Sequence, residues 1–144
     1  MAYILPFSIV NDTDDSLTIV EKTCWYYAGG GTWTDHDPTS ISHANLILTM
    51  NGSGTSGMLR IMASSGQIFT VIVGYHNYEF WCDVQVDLSP EETAVKLHPE
   101  YYSGGRLSGE AHNTIKRTTT GGRTVEVHLQ HLPCGRPPVI IKYS

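Results

Sequence analysis

The sequence predicts an all-β fold, a β-sandwich of two antiparallel sheets with a small helix-loop-helix connection. Three observations carry this. Apolar residues recur with a period of two over most of the chain, the spacing that puts alternate side chains on one face of a strand. Clusters of Gly, Asn and Asp interrupt the pattern at short intervals, as turns between antiparallel strands do. The stretch Leu88 to Lys96 abandons period two for the chemistry of a helix start. A chain of 144 residues can bury one sizeable core and is short for two, so a single domain over 1–144 is expected.

Taken in order, the expected strands are Ile4 to Val10, Leu17 to Tyr26, Ala44 to Met50, Met58 to Ala63, Gln67 to Gly74, Arg123 to Leu132 and Val139 to Tyr143. Pro6 cannot donate to a ladder, which marks the first as an edge strand. In the sixth, Val125, Val127 and Leu129 alternate with Glu126, His128 and Gln130, so one face looks inward. In the helical stretch Ser89 is placed to cap, Pro90 suits the first helical position, and Glu92 completes a capping box. His98-Pro99 should end that helix. A second short helix is expected from Leu107 to Asn113.

Composition excludes several function classes. Nine Lys and Arg against a net charge of −5 leave no basic stripe for a phosphate backbone, so nucleic acid is not an expected partner. No apolar run approaches the roughly 20 residues that span a bilayer, and no secretory leader opens the sequence, so a cytoplasmic location is expected. Cys24, Cys82 and Cys134 are odd in number and widely spaced, and read as reduced thiols.

Two segments concentrate polar chemistry. Asn51-Gly52-Ser53-Gly54-Thr55-Ser56-Gly57 carries the Asn-Gly signal of a hairpin turn. Gly52 and Gly57 have phosphate-loop separation, but Met58 stands where the lysine must be, which rejects a nucleotide site. What remains is a plain turn, or a loop whose hydroxyl and bare N–H groups admit a polar ligand closely. The second segment runs from Gly74 to Asp83. Trp81 and Phe80 are core candidates there, while His76 and Asn77 are better placed to meet a ligand at a loop edge.

Enzyme and metal readings do worse. His128 and His131 would point to opposite faces of a strand, and His36, Asp37 and His43 lack a matching ligand pattern. Asp83, Glu79, Glu91 and Glu92 are acidic, but capping accounts for Glu92 and nothing fixes the separation glycoside hydrolysis needs. No nucleophile elbow is present. Neither a cofactor nor a metal is expected.

Between Val20 and Arg106 several words stand in a definite order: Val20-Glu21-Lys22-Thr23, Tyr27-Ala28-Gly29-Gly30-Gly31-Thr32-Trp33, Leu48 to Gly57, His76-Asn77-Tyr78, Trp81-Cys82-Asp83-Val84 and Glu100-Tyr101-Tyr102. In these the chain resembles the fungal fruit-body lectin family. The resemblance implies a sandwich similar in topology to the actinoporins, no catalysis, and a primary pocket for Galβ1-3GalNAc, the Thomsen-Friedenreich disaccharide. By match that pocket is built from Ala28, Gly29, Ser53, Gly54, His76 and Asn77, with Gly29 where the family usually has asparagine. A second pocket, for N-acetylglucosamine, matches at Asp83, Val84 and Arg106. Val86 stands where the family has threonine, and the family's tyrosine falls near Ile115 or Arg117. Two polar contacts are thus lost and a weak or altered second site is expected, with Asp83 and Arg106 free to pair structurally.

The resemblance further implies glycoprotein partners, a homo-oligomer (dimer or tetramer) and a defence role. Two rival expectations stand beside the lectin. Pore formation, known in the same fold class, would need an amphipathic N-terminal helix where Ala2 to Val10 reads as a strand, so no membrane insertion is expected. The other rival is a relic that no longer binds sugar.

Overall fold

The computed structural model describes residues 3–25, 31–35, 46–129 and 138–144. Ten strands form two sheets. Six of them, in the order β3-β4-β1-β10-β9-β8, make one sheet from β1 (Tyr3–Asn11), β3 (Gly31–Asp35), β4 (Leu46–Met50), β8 (Thr114–Thr118), β9 (Thr124–Leu129) and β10 (Val139–Tyr143). The other sheet runs β2-β5-β6-β7, from β2 (Leu17–Trp25), β5 (Thr55–Ala63), β6 (Ile68–His76) and β7 (Glu79–Gln85). Pairing is antiparallel except between β1 and β10, which run parallel with Phe7 opposite Val139.

The inner faces interlock as the period of two requires. Leu5, Phe7 and Ile9 alternate inward from β1, and Val125, Val127 and Leu129 do so from β9, against Leu59, Ile61, Val71, Val73 and Val84 of the smaller sheet. β6 is different. Every residue from Ile68 to Tyr75 is buried, because the outer face of this sheet is covered as well. Ala94, Leu97, Tyr101 and Leu107 of the connection close over Met58 and Ile72 there. A strand buried on both faces reads as a continuous apolar run.

The expected helix starts one turn late. Ser89 and Glu92 do engage each other, Glu92 Oε1 accepting the Ser89 N–H at 3.0 Å, but they fix a turn. Helix α1 (Ala94–Leu97) begins after Thr93, whose extended backbone and side chain cap it. The Glu21 carboxylate, reaching from β2, accepts the N–H groups of Ala94 at 2.8 Å and Val95 at 3.1 Å. The helix ends before Pro99 as expected, continuing as a 3-10 turn over His98–Tyr101.

Four expectations fail for identifiable reasons. The second helix, Leu107 to Asn113, is absent: the Leu107 N–H goes back to the Glu100 carbonyl at 3.0 Å, and turns follow through Gly109. β1 is an interior strand, not an edge. Pro6 is tolerated because β10 pairing begins only at Phe7, so at Pro6 only β4 flanks the strand. Asn51-Gly52 does not close a hairpin, since β4 and β5 lie in different sheets and the loop crosses between them. The strands β3, β7 and β8 lie outside the expected set. At one side the sheets are joined by a bridge in which Cys82 and His112 exchange backbone hydrogen bonds of 2.8 and 3.0 Å, the one isolated bridge among the described residues.

Candidate functional site

Two turns meet at one end of the sandwich. Asn51–Gly54 carries the chain into β5, while Asn77 and Tyr78 close the β6–β7 hairpin between the paired His76 and Glu79. A two-residue hairpin of this hand needs positive φ at both central residues, and Asn77 has φ 49 and Tyr78 φ 66. Asparagine adopts this region readily, whereas a bulky tyrosine rarely does. Gly54, at φ 84, donates its N–H to the Tyr75 carbonyl at 2.8 Å. The Asn77 N–H donates to Ser53 Oγ at 3.3 Å. These bonds clasp the two turns together. Ser53, His76 and Asn77 remain exposed, and Gly54 is buried between them. Tyr75 below is packed between Tyr3 and Phe80, with ring centroids 4.0 and 4.7 Å away.

A cleft of about 250 Å³ opens beside the clasp, bounded by Gly54, His76, Trp81, Tyr101, Tyr102 and Glu110. The Trp81 indole lies against bare backbone at Gly74, where a Cβ would sit 2.5 Å from the ring. Tyr102 is fixed from behind. Its hydroxyl meets Ser56 Oγ at 2.6 Å, Ser56 Oγ meets His98 Nε2 at 2.7 Å, and His98 Nδ1 meets Thr23 Oγ1 at 2.7 Å. His98 is 1% exposed, and burial brings its pKa down to about 4, so the imidazole is neutral, donating at one nitrogen and accepting at the other.

The second set of matched residues is arranged otherwise. Asp83 and Val84 lie in β7 with no exposed surface, and Val86 packs against the core. Asp83 Oδ2 accepts from the Tyr101 hydroxyl at 2.6 Å and from Gln85 at 2.9 Å. Arg117 donates to Asp83 Oδ1 at 3.1 Å, to Glu110 at 3.1 Å and through Nε to the Val84 carbonyl at 2.6 Å. Burial, then the Asp83 charge, pushes the Tyr101 phenol far above its ordinary range. His112 lies 2.8 Å from Glu110 and holds that carboxyl below the usual range. Arg106 is not Asp83's partner: it is exposed, with Nη2 4.0 Å from Glu92. The pairing expected of Arg106 is made by Arg117, because β8 runs alongside β7 and turns Arg117 inward while Arg106 stays on the surface of the connection.

The structure thus brings Ser53, Gly54, His76 and Asn77 together. Ala28 and Gly29 lie outside the described residues, as do Tyr26, His36, His43, His131, Cys134 and the ends of two expected strands. Sequence reasoning missed Arg117, Glu110, His112 and the His98 chain. The paired Tyr101-Tyr102 was the visible signal, since two adjacent tyrosines cannot both enter one core. Asp83, Glu110 and His112 bring one donor atom each within 4.8 Å of one another, as a metal site would. Arg117 already supplies the cation between the two carboxylates, so the donor set does not fit a metal ion.

A sequence profile of the fungal fruit body lectins matches residues 1–135. The Boletus edulis lectin, from Boletus edulis, is 52% identical over 88 residues, which are 61% of this chain and 57% of that protein. The match therefore spans little over half the length of that relative. The wild-type Xerocomus chrysenteron lectin superimposes with a TM-score of 0.91 at 34% identity, covering all of both chains. A substituted form of it gives 0.90 at 36% identity over 100% and 99%. The lipid binding protein Nakanori shares the fold alone, with a TM-score of 0.67 and 12% identity over all of this chain and 72% of that one. Architecture and the family match define a β-sandwich of the lectin class, whose members bind sugars without transforming them. The chain belongs to the fungal fruit body lectin family.

Proposed function

We propose that this chain is a carbohydrate-binding lectin that takes galacto-type glycans such as Galβ1-3GalNAc at the clasp of Ser53, Gly54, His76 and Asn77. The observation that carries this is the bond from the Asn77 N–H to Ser53 Oγ at 3.3 Å, which holds two polar turns together and leaves their side chains exposed. An axial 4-hydroxyl is met by the Ser53 hydroxyl and the Asn77 amide. The equatorial epimer leaves those groups unpaired, at a cost of about 1–3 kcal/mol.

The N-acetylglucosamine site is lost in this reading. Asp83, which a second sugar would need, already accepts from Tyr101, Gln85 and Arg117. A single sugar contact gives roughly millimolar affinity, about −4 kcal/mol, so useful binding needs several sites presented by a dimer or tetramer. Glycoproteins of foreign organisms are then the natural targets, and defence the role. A pore-forming reading gains nothing from β1, which is held between β4 and β10.

Calorimetric titration with Galβ1-3GalNAc and, separately, N-acetylglucosamine tests this, alongside Asn77→Ala. Binding of the disaccharide alone, abolished in the variant, is expected. Binding of N-acetylglucosamine alone would overturn both site assignments.

A further inference from the structure

We infer that the pole of the sandwich opposite the clasp holds a second carbohydrate cleft, one that takes the vicinal hydroxyls of a neutral pyranoside. The turns β1–β2, β5–β6 and β8–β9 converge there around a cavity of about 460 Å³, lined only by polar residues and glycine. That volume falls within the range of small-molecule sites. The nine residues of β5 separate it from Gly54 by about 30 Å.

The walls are fixed before any ligand arrives. Asp87, just past β7, stands at φ 57, in the left-handed region. Its N–H donates to Gln67 Oε1 at 2.8 Å, and its carboxylate accepts from Gln67 Nε2 at 3.0 Å. The same carboxylate accepts the Thr120 N–H at 3.1 Å and hydroxyl at 3.0 Å. Two of the three turns are thereby latched to one residue, which accounts for a backbone conformation that would otherwise be unfavourable. The Thr120 bonds hold the Asp87 carboxyl below the usual range.

The recognising pair is Asp15 and Arg123. The Tyr143 hydroxyl, from the core side, donates to Asp15 Oδ2 at 3.2 Å, and Arg123 Nε lies 3.7 Å from the same oxygen. Asp15 is 14% exposed at its side chain and Arg123 41%, so both present atoms to the cavity. Adjacent hydroxyls of a sugar can donate to the carboxylate while a ring or hydroxyl oxygen accepts from the guanidinium. The two charges cancel, which disfavours an ionic ligand of either sign and suits a neutral polyol. At Gly66 nothing lies within 4 Å of where a Cβ would stand, so a ligand can approach bare backbone.

The proposal does not rest on the clasp, and one titration separates them. Methyl β-galactopyranoside is added to the ¹⁵N-labelled chain, up to about 50 mM, well above ordinary single-sugar dissociation constants. Two separate groups of amides should shift with saturation: Gly54, His76 and Asn77 for the clasp, and Gly66, Thr120 and Gly121 for the opposite cleft. Arg123→Met and Asp15→Asn should each weaken the second group at least about fivefold and leave the first unchanged, which also reports that the variants are folded. Asn77→Ala should do the reverse. If the second group fails to titrate, or titrates equally in both cleft variants, the second cleft is refuted whatever the first group does.

Discussion

The turns carrying Ser53 and Asn77 and the strand carrying Asp83 use their polar atoms in opposite ways. At the clasp one backbone N–H is bound to Ser53 Oγ and the side chains stay exposed. Around Asp83 both carboxylate oxygens are taken by protein donors and the side chain has no exposed surface. The difference shows that a polar side chain can meet a ligand only where protein donors have left its hydrogen-bonding capacity vacant. One inward arginine on a neighbouring strand, with the Tyr101 hydroxyl, makes Asp83 a structural group.

That contrast can be broken by mutation. One large effect is expected at Arg117→Met, which leaves a buried carboxylate without its cation; discounted for the arginine's partial exposure, urea unfolding should show a loss of about 2–3 kcal/mol. Disaccharide affinity at the clasp should not change. An increase in N-acetylglucosamine affinity instead would show that Arg117 merely blocks a working site.

The next effect depends on pH. His98 has a pKa near 4 in the folded chain against 6.5 ordinarily, so folding favours the neutral ring. Its contribution is complete above pH 6.5 and is lost as the pH falls toward 4, a change on the order of 3 kcal/mol. Thermal denaturation across that interval should show the loss, and His98→Gln should flatten the slope.

Smaller effects belong to the clasp. Ser53→Ala removes the acceptor of the Asn77 N–H and should weaken the disaccharide about tenfold, roughly 1.4 kcal/mol, while stability changes by about 1 kcal/mol or less. Tyr78→Gly should stabilise the chain by about 0.5–1 kcal/mol, because glycine accepts the left-handed turn without strain. A drop in sugar affinity in that variant would bring Tyr78, 91% exposed, into the site.

Much of this was legible. Strands with one wet face announce themselves by alternation, as Val125, Val127 and Leu129 do, and β4, β5 and β6 were visible from their apolar content. The strands that escaped notice break the code for physical reasons. In β7, Cys82 and Val84 face the main core and polar Asp83 and Gln85 alternate with them, but Trp81 on that second face packs beneath the connection and interrupts the polar alternation. In β8 the inward positions hold Ile115 and Arg117, and a charge in an apolar slot erases the period. Glycine-led β3 is only five residues long. At the candidate site, Ser53, His76 and Asn77 stood out as polar loop residues, and the structure leaves them exposed beside one another. The Asp83 network depended on β8 lying beside β7, a long-range fact no local pattern encodes.

The parallel pairing of β1 with β10 places residues 7–11 against residues 139–143. Until the last of these leaves the ribosome, one flank of the first strand has nothing to pair with. That flank must wait until more than 125 further residues have been synthesised. Closure of the larger sheet is therefore a late, long-loop event, of the kind that slows folding and lengthens the need for chaperones.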